Sequence, residues 1–432
     1  MSTIPPLNWK SLPGPEDITR VTLSNGITVM ARSNFNSPSV ALSGYLACGS
    51  LMDPEEKLGL AYFTSLALMR GTHQRNFQQI YNALESVGAS LGFSASAYTT
   101  GFGGRALVDD MPLLLDLLCE GIKTPTFPAE QVKRLRMQLL TGLAIRAQDT
   151  EDMASLTFDD LLFEDHPFRL PDDGYIETIK KIQPKDLAQF HKRYFGPQGM
   201  VVVVVGGIDP HQAVEMVTAA LGNWTNPDQG VIPDLPPLPE LLQTKRRHVV
   251  LSGKTQTDLS MGCFGPKRSA PEYMAASLGN SVLGQFGMMG RIGDVVRERE
   301  GLAYSASTSL NAGIVTGTWE VGAGVNPVNL DRAVELIRHE LQRFTTEQVS
   351  KEELEDSQAN FIGRLPLSLE SNAGVANALL HLERFELGLD YYQRFPGLVQ
   401  KVTPKEVLET AHKYIDPDKL VIASAGPELA LQ

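Results

Sequence analysis

Cysteine is nearly absent from this chain, with three residues, Cys48, Cys119 and Cys263, in 432. They lie far apart and are odd in number, which excludes a disulfide framework and a zinc-knuckle spacing. Each reads as a small buried hydrophobe. Long apolar runs are missing too. The most apolar segment is Val201 to Val205, which suits a buried strand and is far short of the roughly 20 residues of a membrane helix. Met1 to Leu12 lacks the basic stretch and apolar run of an export signal. Positive charge is in deficit, since 38 Lys and Arg face 50 Asp and Glu for a net charge of -12. Such a chain repels phosphate backbones and anionic headgroups, so neither nucleic acid nor a membrane surface is expected as a partner. A reducing cytoplasm is the expected location; an export signal already trimmed away would leave no trace.

What is present is enough apolar material for one large core or two, at 42% hydrophobic and 20% charged residues. The chain also repeats itself. Phe190-His191-Lys192-Arg193-Tyr194-Phe195-Gly196-Pro197 leads into Met200 to Gly206, and Ala411-His412-Lys413-Tyr414-Ile415-Asp416-Pro417 leads into Leu420 to Gly426. Tyr194 and Tyr414, Pro197 and Pro417, and Gly206 and Gly426 share one offset of 220 residues. A constant offset across several residue types marks a duplicated domain. Each copy reads as an amphipathic helix, a proline stop and a β-branched strand. Between the copies, Asn226 to Glu240 contains Pro227, Pro233, Pro236, Pro237 and Pro239, a density that allows only an extended linker. The expected division is a first half at 1–225, a linker at 226–245 and a second half at 246–432.

Thr19 to Ala31 reads as a hairpin turning at Asn25-Gly26. Val40 to Cys48 alternates like a strand, and Gly88 to Val108 is strand-rich. Leu58 to Leu68, Asn76 to Val87, Met111 to Ile122 and Ala129 to Ala147 carry helical periodicity. Strands and helices in separate runs predict an α+β fold, with two duplicated halves, each a mostly antiparallel sheet covered by helices on one face.

Gly49-Ser50, Asp53-Pro54-Glu55, Gly59-Leu60-Ala61 and Gly71-Thr72 resemble the N-terminal signature of the pitrilysin metallopeptidases, which include the mitochondrial processing peptidases and bacterial relatives. The resemblance continues through Pro125-Thr126-Phe127, His166-Pro167-Phe168, Gly174 and the repeated Tyr-to-Gly segment, in the family's order. It implies two halves facing each other like a clamshell. Active members carry His-x-x-Glu-His on the helix after Gly-Leu-Ala, where two imidazoles one turn apart bind zinc and the Glu activates water. Here those positions read Tyr62-Phe63-Thr64-Ser65-Leu66. Tyr62 and Leu66 replace the histidines, and Ser65, which is no base near neutral pH, replaces the Glu. The distal carboxylate ligand that the family supplies falls near Gly142, with no acid in Leu139 to Leu143. Where active members tend to read N-A-x-T on an edge strand, this chain has Gly92-Phe93-Ser94-Ala95. No zinc is therefore expected in this chain.

Gly290-Arg291-Ile292-Gly293-Asp294-Val295-Val296-Arg297-Glu298-Arg299-Glu300-Gly301-Leu302-Ala303-Tyr304 resembles the family's L-R-E-x-x-G-L-A-Y segment, whose Arg and Tyr act across the cleft from the zinc. Those positions are Arg297 and Tyr304. A helix ending at Gly301 and a strand opening at Tyr304 put the pair on either side of one turn. An Arg on a charged helix is ordinarily solvated and a Tyr after Leu-Ala ordinarily packs; the resemblance is what gives these two a functional reading. The preceding Leu283 to Gly290 is Gly-rich and expected to be flexible, without the Lys-Ser/Thr ending of a phosphate loop.

The resemblance thus implies a zinc-free subunit, inactive alone, of a heteromeric metalloendopeptidase. A homologous zinc-bearing partner supplies the metal in a heterodimer, this chain supplies Arg297 and Tyr304, and unfolded peptides are the substrates. The alternative is a non-catalytic structural or peptide-binding protein of the same fold.

Overall fold

Two sheets of the same topology, one per half, form the frame of the molecule. This computed structural model describes residues 12–287 and 290–429, and all that follows concerns those residues. The first half contributes β1 (Thr19–Thr22), β2 (Thr28–Ser33), β3 (Ser39–Leu46), β4 (Ser90–Ala95), β5 (Thr100–Leu107) and β6 (Val201–Gly206). The second contributes β7 (Lys245–Val250), β8 (Thr257–Gly265), β9 (Ala303–Ala312), β10 (Gly317–Val325) and β11 (Val421–Gly426). The spatial orders are β1-β2-β6-β3-β5-β4 and β7-β11-β8-β10-β9. Without β1 the two orders match position for position. Each has one parallel pairing, β2 with β6 and β7 with β11, and the rest are antiparallel. The duplication and the α+β fold are therefore as expected.

Local chemistry explains the elements. Gly26, at φ +93°, turns the β1–β2 hairpin in a conformation that disfavours side chains. Asn76 caps the Phe77–Ser86 helix in a reciprocal box with Gln79. Pro184 and Pro404 sit in the first turns of the paired helices Pro184–Tyr194 and Pro404–Tyr414, where no N–H is needed.

Covering helices on one face only is the expectation that the structure corrects. Leu42, Val202 and Val204 face helices of their own half. Met30, Ala41, Val201, Val203 and Val205, on the opposite face, pack against Val375, Ala376, Leu379 and Leu382 of the second half's Asn372–Arg384 helix. The exchange is mutual. Phe158, Leu162 and Phe163 of the Thr150–Phe163 helix, from the first half, cover Val421 and Ala423 of β11. An unbroken valine run is apolar at both parities of a strand, so both sides of β6 must be buried. At about 1.5–3 kcal/mol for each large side chain removed from water, neither sheet is complete without the other half's helix.

Trp224 to Thr244 carries neither helix nor strand. Lys245, expected in the linker, is already the first residue of β7. No helix among the described residues is long and apolar enough to cross a membrane.

Candidate functional site

The family-like residues of the first half build the start of one short helix, Leu60–Ala67. Asp53 accepts hydrogen bonds from the Gly59 and Ala61 N–H groups, both at 2.8 Å, closing the helix N-terminus. Gly59 is left-handed at φ +89°, and a Cβ there would lie 2.7 Å from the Asp173 carbonyl oxygen. A Cβ on Gly174 would lie 2.2 Å from the Leu58 carbonyl oxygen. These residues hold the backbone of the helix.

Tyr62, Ser65 and Leu66 of this helix and Gly142 of the Ala129–Arg146 helix line one pocket of about 440 Å³. The four positions singled out from sequence thus converge. Tyr62 and Leu66 pack against the apolar core. Ser65 is fully buried and donates to the Tyr62 carbonyl at 2.7 Å, turned back on its own helix. Gly142 leaves open space where a side chain would stand, with nothing within 4 Å of a Cβ built there. Arg70 adds a positive charge to the wall, and Asp173, the pocket's carboxylate, is ion-paired to Arg146. This lining does not fit zinc, which needs imidazole, thiolate or free carboxylate donors. No group of three or more His, Cys, Asp or Glu among the described residues could hold a metal ion.

In the second half, Arg297 lies in a π-helical turn, Asp294–Arg299. Such widened turns recur at functional sites. Gly301, left-handed at φ +64°, ends the turn; its N–H donates to the Arg297 carbonyl at 3.1 Å, and Leu302 N–H donates to the Val296 carbonyl at 2.9 Å. The chain then enters β9, the free edge of the sheet, with Tyr304 at its second position and 76% exposed. The Arg297 side chain is half-buried, with Nε 3.6 Å from the Glu298 carboxylate. Sequence and structure agree that a helix-to-strand turn carries the pair. In the Gly-rich segment before it, Gly287 and Gly290 are left-handed, while Met288 and Met289 lie outside the described residues.

Asp53, Asp159, Asp165 and Asp172 line a common pocket of about 570 Å³. Burial pushes Asp159 up to about 7, helped by the negative charges of Glu320 and Asp172. Burial also raises Asp172, against a hydrogen bond from Ser50 that favours its ionised form. Asp159, Asp165 and Asp172 are near one another in the chain, and only the fold brings them to Asp53.

Comparison with known proteins agrees with this geometry. The family model described as insulinase, peptidase family M16, matches residues 28–163, and that of the peptidase M16 inactive domain matches residues 181–361. An uncharacterized zinc protease of Mycobacterium leprae is 26% identical over 406 residues, covering 92% of this chain and 89% of the relative. A non-peptidase homolog, YmxG, of Helicobacter pylori is 25% identical over 379 residues, covering 87% and 86%. The crystal structure of a peptidase M16 inactive domain from Pseudomonas fluorescens superposes with a TM-score of 0.88 at 26% identity, covering 96% of this chain and 99% of the other. A protease structure from Helicobacter pylori gives the same TM-score of 0.88 at 18% identity, a likeness of fold alone. With both halves matched, both sheets alike and the zinc positions filled by Tyr62, Ser65, Leu66 and Gly142, this chain belongs to the M16 peptidase family, with a degenerate zinc motif.

Proposed function

We propose that this chain is the zinc-free subunit of a two-chain M16 peptidase. A homologous partner brings the zinc site in a heterodimer, and the pair cleaves unfolded peptides. This chain contributes half the wall of the chamber and two donors. The Arg297 guanidinium holds a substrate carbonyl with its fork of N–H groups, and the Tyr304 phenol donates to the oxyanion that forms on peptide attack. The observation that carries the reading is Tyr304, whose aromatic ring stands 76% exposed at a sheet edge one turn from Arg297. That exposure leaves the ring accessible to a partner chain. The acidic charge and the separated cysteines fit a cytoplasmic setting.

The test is reconstitution with the zinc-bearing partner and a quenched peptide. Arg297→Ala with Tyr304→Phe is expected to cut the rate on the order of 10²–10³ while leaving assembly intact. Full activity of the double variant removes the proposed role. A second reading, a structural or peptide-holding protein, draws on the name non-peptidase homolog given to the Helicobacter pylori relative. It predicts equal behaviour of wild type and double variant in every assay.

A further inference from the structure

Between the halves lies a cleft of about 680 Å³ that the reading above leaves unused. Its floor is the sheet of the first half, and its wall is the second half's Asn372–Arg384 helix, through Asn377, Leu380, His381 and Arg384. The floor is built on Gly44, Gly92, Gly101 and Gly103. A Cβ at Gly92 or Gly103 would meet nothing within 4 Å, so these glycines leave a flat open trough beside bare backbone. Phe93, Phe102 and Phe385 make the rest apolar.

Arg384 is the anomaly in this trough. Its Nε is buried and has no hydrogen-bond partner, and no ion pair among the described residues joins it to a carboxylate. Its neighbour Glu383 is already engaged, bidentately, by Arg20 at 2.6 and 2.8 Å. A second guanidinium stands behind it. Arg268 is 7% exposed, donates from Nε to His381 Nε2 at 3.3 Å and from Nη2 to the Tyr391 hydroxyl at 2.8 Å, and lies over the Tyr273 ring at 4.0 Å. Burial and the two flanking guanidinium groups push His381 down to about 4, so it adds no charge of its own. Tyr98 Oη, within reach of the Arg384 charge, is likewise buried without a partner. A chain with a net charge of -12 thus places Arg384 at its cleft with Arg268 behind it against His381, and no ion pair among the described residues joins either to a carboxylate.

A buried, unpaired donor costs about 1–3 kcal/mol, more when charged, unless something arrives to accept from it. The apolar trough and the adjoining free edge of β4 favour an extended peptide as that acceptor. We propose that the cleft is a carboxylate-binding site for peptides, with Arg384 as its anchor and the glycine floor as the seat of the backbone next to the carboxylate. The shared chemistry is a carboxylate, supplied by a peptide C-terminus or by a Glu or Asp side chain. The inference rests on the peptide-holding part of the function proposed above and not on the partner's zinc.

The test uses the full chain alone and fluorescein-labelled unstructured peptides of one core sequence, read by anisotropy. One pair differs in a free or amidated C-terminus. A second pair, both amidated, differs by an internal Glu or Gln. A carboxylate form is expected to bind roughly 10- to 100-fold tighter than its neutral counterpart, and the pair that discriminates identifies the source. Arg384→Gln is expected to erase that discrimination and Arg384→Lys to restore part of it, with thermal unfolding confirming that each variant is folded. Gly103→Val, which fills the trough, is expected to weaken all four peptides. Equal affinity for acid and neutral forms, discrimination surviving in Arg384→Gln, or no binding of any peptide overturns the proposal. Because the partner is absent, this assay and the reconstitution assay fail independently.

Discussion

Asn372 of the second half clasps Ser39 of the first, its Nδ2 donating to the Ser39 carbonyl at 3.0 Å and lying 3.1 Å from Ser39 Oγ. Its Oδ1 accepts from Asn34 at 2.7 Å, and the side chain is buried. These bonds fix the start of the helix that covers the first half's sheet.

Loss of this clasp leaves buried donors and acceptors unpaired. Asn372→Ala is expected to lower stability by about 1–3 kcal/mol in urea unfolding. Arg20→Ala, which breaks an inter-half pair whose Arg is 40% exposed, is expected to cost under about 1 kcal/mol. Because the halves exchange covering helices, a single cooperative transition is expected; two separated transitions would contradict the shared core.

Gly142 is a helix-interior glycine with open space around its missing side chain. Gly142→Ala is expected to stabilise the chain by about 0.5–1 kcal/mol, since the backbone loses less freedom on folding. A drop in melting temperature would show that the empty position is needed for packing.

Tyr304→Phe in the isolated chain is expected to change stability by less than about 0.5 kcal/mol, because the ring is 76% exposed. A larger loss in thermal unfolding would mean that the hydroxyl serves the fold, and would undercut its assignment to a partner's substrate.

Asp159 sets a pH trend. Its pKa of about 7 in the folded chain, above the ordinary value of 3.8, means that the folded state holds a proton that the unfolded state releases in between. Stability from this group is fully present below about pH 4 and is lost as pH rises through 7. Asp159→Asn is expected to flatten that slope and to raise the melting temperature at pH 8. An unchanged slope from pH 5 to 8 would place the proton elsewhere.

Much of this was legible in the residues. The 220-residue offset reports that β6 and β11 are copies, because the same strand in the same sheet needs the same β-branched run. Asn25-Gly26, Asn76 and Pro184 mark turns and helix starts through local backbone chemistry alone. Tyr62, Ser65 and Leu66 could be placed on one helical face from spacing, since two of them stand a helical turn apart. What spacing could not give is anything assembled from distant segments. Arg384 and Tyr98 are far apart in the chain, and so are Asp53 and Asp159.

By itself, then, the sequence determined the duplicated α+β halves, through a regular offset, and its resemblance to a known family implied the loss of the zinc ligands. Only the tertiary structure decided that each sheet is closed by the other half's helix, that Tyr304 stands exposed at an edge, and that Arg384 faces a glycine-floored cleft with no ion pair among the described residues. Burial and charge compensation are properties of neighbours in space, and the chain brings those neighbours together only when it folds.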